Sequence, residues 1–472
     1  MIDEKMVVGD IETGTELLVI GGGPGGYAAA IRAAQKGLDV TLVEKEDIGG
    51  TCLNRGCIPA KALIHAAGFQ KDMESWDEIG IHNEGLDVEF SEVQEWKNDI
   101  VEKLNTGVKN KLKAVGVEVM KGEAHFLDDS TVRVEEEHRT DKLNFEKCVV
   151  ATGSKPVEVP GLEFEKEGVI SSREMLNLEE VPDELVVVGG GYIGMEAVTK
   201  FCKFGSHVKI VEAEDRVLPN FDEEIVNSIQ ETSDCYNDEI YTGTKASEVR
   251  EGENPVLVAE QNGEEVKIDG DYILVAVGRE AQSGLESVKV GNAGLEINER
   301  GFVDTDSQMK ASENIFVIGD AAGQPMLAHK AYMEGKVAGE VAAGENAGMD
   351  SKFIPKVMYT DPEVAVVGLT EQEAREEFGD VKLGTFSMKH SGRALTTNGG
   401  EGFVKVIASE ENKLLGVTII SERASDMIGE ATLALEMQAY LDDVIGTVHA
   451  HPTFPEAFQE ACEDALDKSI HT

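Results

Sequence analysis

Twice in this chain an apolar run passes straight into a glycine turn and then into a helix-like segment, and few architectures accommodate that order twice. Leu17-Leu18-Val19-Ile20 leads into Gly21-Gly22-Gly23-Pro24-Gly25-Gly26 and an alanine-rich stretch from Tyr27 to Lys36; Leu185-Val186-Val187-Val188 leads into Gly189-Gly190-Gly191-Tyr192-Ile193-Gly194. In a dinucleotide-binding unit of this kind the first glycine permits the tight turn, the second lets a pyrophosphate approach the backbone, and the third lets the helix lie close to the strand. Those roles fall on Gly21, Gly23 and Gly26, then on Gly189, Gly191 and Gly194. Each helix turns its N-terminus to the phosphates. An acid about 20 residues on suits a ribose hydroxyl; Glu44 ends the run Val40–Val43, and Glu212 ends Val208–Val211. Two units imply two dinucleotides. Glu212 would repel a 2′-phosphate, and Ala213 and Glu214 bring no cation, so NAD is expected at the second unit rather than NADP.

A few residues after Glu44 stands Gly49-Gly50-Thr51-Cys52-Leu53-Asn54-Arg55-Gly56-Cys57-Ile58-Pro59-Ala60-Lys61. Two cysteines five positions apart in a regular helix have Cα atoms roughly 8–9 Å apart, beyond the ~7 Å limit for a disulfide. They can close only across a distorted turn, which Gly56 and Pro59 permit. A bare pair at this spacing also fits incidental buried thiols, but its place between two dinucleotide units points to a redox-active dithiol relaying electrons from one to the other. The other cysteines, Cys148, Cys202, Cys235 and Cys462, are scattered, which reads as free thiols in a reducing compartment rather than a disulfide framework.

The run Cys148–Ala151 ends in Thr152-Gly153, and Val275-Ala276-Val277-Gly278-Arg279 closes the second unit. Asn314–Asp320 is a further strand, whose Asp320 either binds a flavin polyol or caps the helix expected over Met326–Ala343. From Lys356 the pattern changes to strands and then helices with no nucleotide motif, as in a packing or dimer-forming domain. Near the end comes His449-Ala450-His451-Pro452-Thr453-Phe454-Pro455-Glu456. Histidine suits proton transfer with a thiol near neutral pH, and a carboxylate can fix its tautomer. Either histidine could serve, or be a structural hydrogen-bonding residue; no third ligand stands at a familiar metal spacing.

At 472 residues, about three domains are expected. Against 43 Lys+Arg stand 90 Asp+Glu, a net charge of -47, which excludes nucleic acid and an anionic membrane as partners. The acid is dispersed between regular apolar runs, as on the solvated surface of a halophilic protein. The start, MIDEKMVVGDIETG, has neither a charged n-region nor an apolar h-region, and no apolar run reaches membrane-spanning length, so a cytoplasmic protein is expected.

Over nearly its whole length the chain resembles dihydrolipoamide dehydrogenases, within the two-dinucleotide flavoprotein disulfide reductases. GGTCLNRGCIPAK is similar to the redox motif, AVGRE and FVIGDAAG to the closures of the FAD domain, MLAHKA to the helix beside the flavin that includes Ala328, YTDPEVAVVG to the opening of the interface domain, and HAHPTFPE to the acid–base motif. The resemblance implies an α/β chain with two Rossmann-like domains, for FAD and NAD, and an α+β C-terminal dimerisation domain. The divisions expected are 1–153 (first part of the FAD domain), 154–277 (NAD domain), 278–350 (FAD and central part) and 351–472 (interface). It makes Cys52 the thiol that exchanges with dihydrolipoamide or a lipoylated carrier protein, and Cys57 the sulfur against the flavin. It selects His451, oriented by Glu456, as the acid–base in a homodimer, pairs Lys61 with Glu196 near the flavin, and sets Asp320 on the ribityl chain. Arg55, Ala60 and Pro455 depart from the pattern: Arg55 either lowers a thiolate pKa or points to water, and Pro455 bears on the reach of Glu456. Within the family, glutathione reductase would need cations after Glu212, and mercuric reductase a C-terminal cysteine pair where only Cys462 stands. A non-catalytic flavoprotein subunit is the alternative of another class.

Overall fold

The computed structural model describes residues 11–82, 87–136, 139–232, 234–236, 239–252 and 254–471, so the first ten residues of the acidic N-terminal stretch lie outside the described residues. The first apolar run ends the strand Ile11–Ile20, which pairs in parallel with Val40–Glu44 on one side and with Arg139–Val150 on the other. Glu118–Lys121 extends the sheet in parallel beyond Val40–Glu44, and Ile315–Val317 returns from late in the chain to set Ile315 beside Cys148. An antiparallel pair, Glu123–Phe126 and Thr131–Glu136, joins the first half of Arg139–Val150. A strand covered on both faces must be apolar on both. Leu17 and Val19 accordingly pack with Ala29, Ala33 and Val337, while Leu18 and Ile20 pack with Val132, Leu143 and Leu285.

The second unit repeats this with five parallel strands in the order Glu239–Tyr241, His207–Val211, Glu184–Val188, Tyr272–Val275 and Val169–Ile170, with Val187 between Ile210 and Leu274. A three-stranded antiparallel ribbon over Thr244–Asp269 packs Leu257, Ala259 and Ile268 onto one face. The C-terminal unit is an antiparallel sheet of five strands, from Lys356–Met358 to Leu414–Ser421, covered by the helices Ala424–Glu436 and Glu456–Asp464. The expected α/β fold with an α+β C-terminal unit is thus the observed one.

The three units meet in one core. Leu63, from the helix Cys57–Ser75, shares it with Val198 and Phe201 of the helix Tyr192–Phe204 and with Met358, Val364 and Ile420 of the antiparallel sheet. Each such side chain contributes about 1.5–3 kcal/mol on burial, and that packing fixes the helix carrying Cys57 and Lys61 against the second unit.

Cys202 and Cys235 are not independent thiols but form a disulfide. Their separation of 33 residues in sequence hid a tertiary contact: the turn Asp234–Tyr236 folds onto the helix Tyr192–Phe204, where the buried Tyr236 hydroxyl is hydrogen-bonded to Thr199. Two of the four scattered cysteines are thus paired, and they give no support to a reducing compartment. Among the described residues no helix is long and apolar enough to cross a membrane.

A net charge of -47 makes the folded surface self-repelling when ions are dilute. The Debye length falls from about 10 Å at 0.1 M salt to about 3 Å at 1 M, so Tm is expected to rise with KCl through the molar range. A flat curve of Tm against KCl would refute the halophilic reading of the acid.

Candidate active site

The short helix Gly50–Arg55 stops at Gly56, whose backbone leaves the helical region (φ -148, ψ -111), and the helix Cys57–Ser75 starts at once. A Cβ on Gly56 would stand 2.9 Å from the Thr51 carbonyl oxygen, so the break needs glycine. Pro59 falls in the first turn of the second helix, where its missing N–H leaves no helical bond unmade. This is the distortion that the spacing demands. Cys52 and Cys57 are both thiols here, hydrogen-bonded to each other, so the bonded pair in the structure is Cys202–Cys235 and not the redox pair read from the sequence. The hydrogen bond from Cys52 is the largest influence on Cys57; with Lys61 it outweighs burial and Glu196 and brings Cys57 down to about 7. Cys52, as donor and half-buried, is pushed far up. One proton is thus held on Cys52, and Cys57 is the sulfur poised as thiolate.

Lys61, one turn on from Cys57, reaches both Glu196 carboxylate oxygens at 2.8 and 2.7 Å. Burial works against its charge, but Glu196 overrides it and raises Lys61 above its ordinary value. Tyr359, from the C-terminal unit, lies under the ammonium at 4.6 Å and donates its backbone N–H to Glu196. Sequence reasoning missed Tyr359, although it opens the quoted YTDPEVAVVG motif. It also missed Tyr27 and Tyr332, whose hydroxyls hydrogen-bond to each other within electrostatic reach of Cys52. Arg55 does neither thing expected of it: it pairs with Glu46.

Both glycine turns have the geometry that their sequences require. Gly21 and Gly189 adopt φ of 101 and 105, and a Cβ on Gly26 or Gly194 would meet the carbonyl oxygen of Gly21 or Gly189 at 1.8 or 2.0 Å. A Cβ on Gly191 would meet nothing within 4 Å, and one on Gly23 only Gly50 at 3.8 Å, which leaves room above each turn. The helices Pro24–Gln35 and Tyr192–Phe204 start with no side-chain cap, leaving N–H donors for phosphate. Glu44 accepts from Gly22 N at 2.6 Å and Glu212 from Gly190 N at 2.6 Å, one carboxylate beneath each cradle. Gly153 and Gly278 close their strands at positive φ. Arg279, beside Gly278, donates to Ser154 O and Oγ, and Ser154 in turn donates to Asp320. Asp320 caps no helix; its turn is held from below by Glu334, which accepts from Gly319 N at 2.7 Å and pairs with Lys330. Ala328 is the first residue of the helix Ala328–Ala342, whose start is also uncapped.

His451 Nδ1 is 2.8 Å from Glu456 Oε1, and Glu456 Oε2 accepts from Thr453 N. Pro455 precedes the helix Glu456–Asp464 and does not keep the carboxylate from the ring. His449 has both ring nitrogens engaged, with Glu430 and with Thr447 O, whereas His451 Nε2 has no hydrogen-bond partner among the described residues, on a side chain 77% exposed. Among the described residues no hydrogen bond or ion pair joins His451 or Glu456 to Cys52 or Cys57 within the chain.

Two nucleotide-type sheets of the same strand–glycine–helix order, with a hydrogen-bonded thiol pair at the edge of the first cradle, define a dinucleotide-dependent disulfide oxidoreductase. The profile of pyridine nucleotide-disulphide oxidoreductases matches residues 15–335 and that of their dimerisation domain residues 354–462, and the chain belongs to this family. It is 45% identical over 475 residues to the dihydrolipoyl dehydrogenase of Haloferax volcanii, with 99% of both chains covered. To the dihydrolipoyl dehydrogenase of Bacillus subtilis it is 44% identical over 473 residues, again with 99% of both covered. Among solved structures, the HOCl-induced flavoprotein disulfide reductase RclA from Escherichia coli superposes with a TM-score of 0.84 at 26% identity, covering 95% of this chain and 99% of that one. LpdA from Mycobacterium tuberculosis, at 22% identity, shares the fold with a TM-score of 0.88 over 95% of this chain and 99% of its own.

Proposed function

We propose that this chain oxidises dihydrolipoyl groups, on free dihydrolipoamide or on a lipoylated carrier protein, and reduces NAD, as a homodimer of a salt-rich cytoplasm. The observation that carries this is the Cys52–Cys57 thiol pair tied through Lys61 to Glu196, in a chain similar end to end to two dihydrolipoyl dehydrogenases. The divisions after residues 153, 277 and 350 remain our assignment of the FAD, NAD, central and interface domains.

The uncapped helix starts, the open space at Gly23 and Gly191 and the carboxylate bonded to each turn suit two dinucleotides: FAD over Gly21–Gly26, with Glu44, Gly153, Gly278, Asp320 and Ala328 around it, and NAD over Gly189–Gly194 with Glu212. When bound, these supply the hydride chemistry. The protein's own residues do the rest. With the pair oxidised, His451 Nε2 takes the proton of a dihydrolipoyl thiol while Glu456 holds Nδ1, and the thiolate attacks Cys52. The Cys52–Cys57 bond breaks and Cys57 leaves as thiolate; the second substrate thiol then displaces Cys52, its proton passing to the Cys52 sulfur, which releases a lipoyl disulfide and a reduced pair while the first proton stays on His451. The substrate has lost two electrons and two protons. Lys61 holds the Cys57 thiolate until the pair recloses and its two electrons reach NAD, giving NADH and a proton.

NAD is expected to be preferred over NADP by at least about a hundredfold in kcat/KM, equivalent to about 2.8 kcal/mol. Glu212 holds the motif position that takes a ribose hydroxyl and would repel a 2′-phosphate, and Arg216, four residues on, is spent on the carbonyls of Pro219 and Phe221. Following NADH formation from dihydrolipoamide with each nucleotide tests both parts: no NADH would overturn the activity, and equal kcat/KM the cofactor choice.

A further inference from the structure

Tyr359 stands between the strands Lys356–Met358 and Glu363–Gly368 of the C-terminal unit, yet it meets both members of the ion pair beside the dithiol. Its backbone N–H donates to Glu196 Oε1 at 3.1 Å, and the centre of its ring lies 4.6 Å from the Lys61 ammonium. Lys61 gives the two Glu196 oxygens bonds of 2.8 and 2.7 Å, which leaves the third N–H of an ammonium unspent on the carboxylate. A cation over an aromatic face is attracted by the ring, and the more so where water is kept away. Glu196 is buried, whereas the Lys61 side chain is 30% exposed, so the ammonium is the member with room to leave. Cys57 and Lys61 are four residues apart in the helix Cys57–Ser75, which sets the two side chains on one face, a turn from each other.

We propose that Tyr359 is a positioning residue for Lys61: its ring holds the ammonium in the pair one turn from Cys57 and keeps it from swinging out to water. This rests on the reading of Cys57 as the thiolate of the proposed reaction. An ammonium nearby favours a thiolate, and a carboxylate opposes it. Because Tyr359 holds Glu196 through its backbone, a change of its side chain leaves the carboxylate where it is and removes only what retains the ammonium. The sulfur then keeps the opposing charge and loses part of its support, so its thiolate forms at higher pH. The other groups that face Cys57 are Cys52, which donates to it, and the neutral phenols of Tyr192 and Tyr332; Lys200, buried one turn beyond Glu196, faces Lys61, and Glu363 faces Tyr359. All of them stay in place when the Tyr359 side chain is changed.

The test uses FAD-loaded protein in molar KCl, reduced anaerobically by a dithiol, with the long-wavelength thiolate–flavin absorbance followed against pH. The rate of iodoacetamide alkylation at Cys57 in the folded protein is measured alongside, read from tryptic peptides split at Arg55. Tyr359→Leu is expected to raise both midpoints by half a unit or more, about a threefold loss of thiolate at fixed pH, while Tyr359→Phe, which keeps the ring, leaves them at the native value. In a Lys61→Met background there is no ammonium to hold, and Tyr359→Leu should add no further shift. Tm checks the fold, and Tyr359→Met takes the place of Tyr359→Leu if the latter does not fold. Unmoved midpoints, whatever the Tm, would make Tyr359 a packing residue; equal shifts in both backgrounds would show that it acts without Lys61; and a shift in Tyr359→Phe as large as that in Tyr359→Leu would place the effect on the hydroxyl. Any of these overturns the proposal. Absence of the long-wavelength band from the native protein would instead sink the functional reading, and the alkylation midpoints would still decide the role of Tyr359.

Discussion

Glutamine in place of His451 is expected to lower kcat for dihydrolipoamide oxidation by about 10²–10⁴-fold, the range for loss of a positioned general base. Only a thiolate attacks a disulfide, and a free thiol with a pKa near 8.5 is mostly protonated at neutral pH, so a base must take the proton at the moment of attack. His451 has the geometry for it: Nδ1 is held by Glu456 at 2.8 Å, and Nε2 has no hydrogen-bond partner among the described residues. Glu456→Gln keeps a hydrogen-bond partner but loses the charge that stabilises the imidazolium, so a smaller loss is expected. Neither change touches the glycine cradles, and anaerobic reduction of the flavin by NADH should be retained. Steady-state rates with dihydrolipoamide beside NADH-driven flavin reduction separate the two; equal loss in both would show damage to the fold and remove His451 from the chemistry.

Loss of either dithiol sulfur should abolish dihydrolipoamide turnover, but the two variants should differ in spectrum. With Cys57 proposed as the sulfur beside the flavin, Cys57→Ser should show no long-wavelength band at any pH. Cys52→Ala keeps that sulfur but loses the hydrogen bond that does most to lower its pKa. Its thiolate should therefore form with a midpoint raised from about 7 toward the ordinary thiol value near 8.5. The sign follows from the donor: a hydrogen bond given to Cys57 favours its charged form, and removing the donor makes protonation easier. Absorbance against pH on the two reduced variants checks this. A band in Cys57→Ser, or an unmoved midpoint in Cys52→Ala, would reverse the roles of the two cysteines.

Both glycine units were readable because each depends on residues within one strand, one turn and one helix start, and local sterics decide them: Gly26 must lie against Gly21, and Gly194 against Gly189. The break at Gly56 was readable for the same reason. Pairings between distant residues were not. Lys61 and Glu196, 135 residues apart, came only from the family resemblance. The chain from Arg279 through Ser154 to Asp320, the Tyr27–Tyr332 contact and the buried Lys200 depend on how whole units pack, and no local period signals them. Cys202–Cys235 was misread because spacing in sequence was taken as distance in space. Arg55 was open to two readings and took a third, since Glu46 on the preceding loop offers the nearer charge.

Among the described residues no hydrogen bond or ion pair joins the dithiol to the acid–base pair within one chain, and the C-terminal unit that carries His451 matches the family's dimerisation domain. We propose that each active site takes Cys52 and Cys57 from one subunit and His451 and Glu456 from the other. Mixed dimers of Cys52→Ser with His451→Gln, re-formed from separated subunits and assayed for NADH formation from dihydrolipoamide, test this directly. A shared site leaves one centre in the mixed dimer with both native residues and the other with neither, so about half of the native activity per dimer should return. If each chain housed a complete site, both centres would stay damaged, and activity no higher than that of the separate variants would contradict the account.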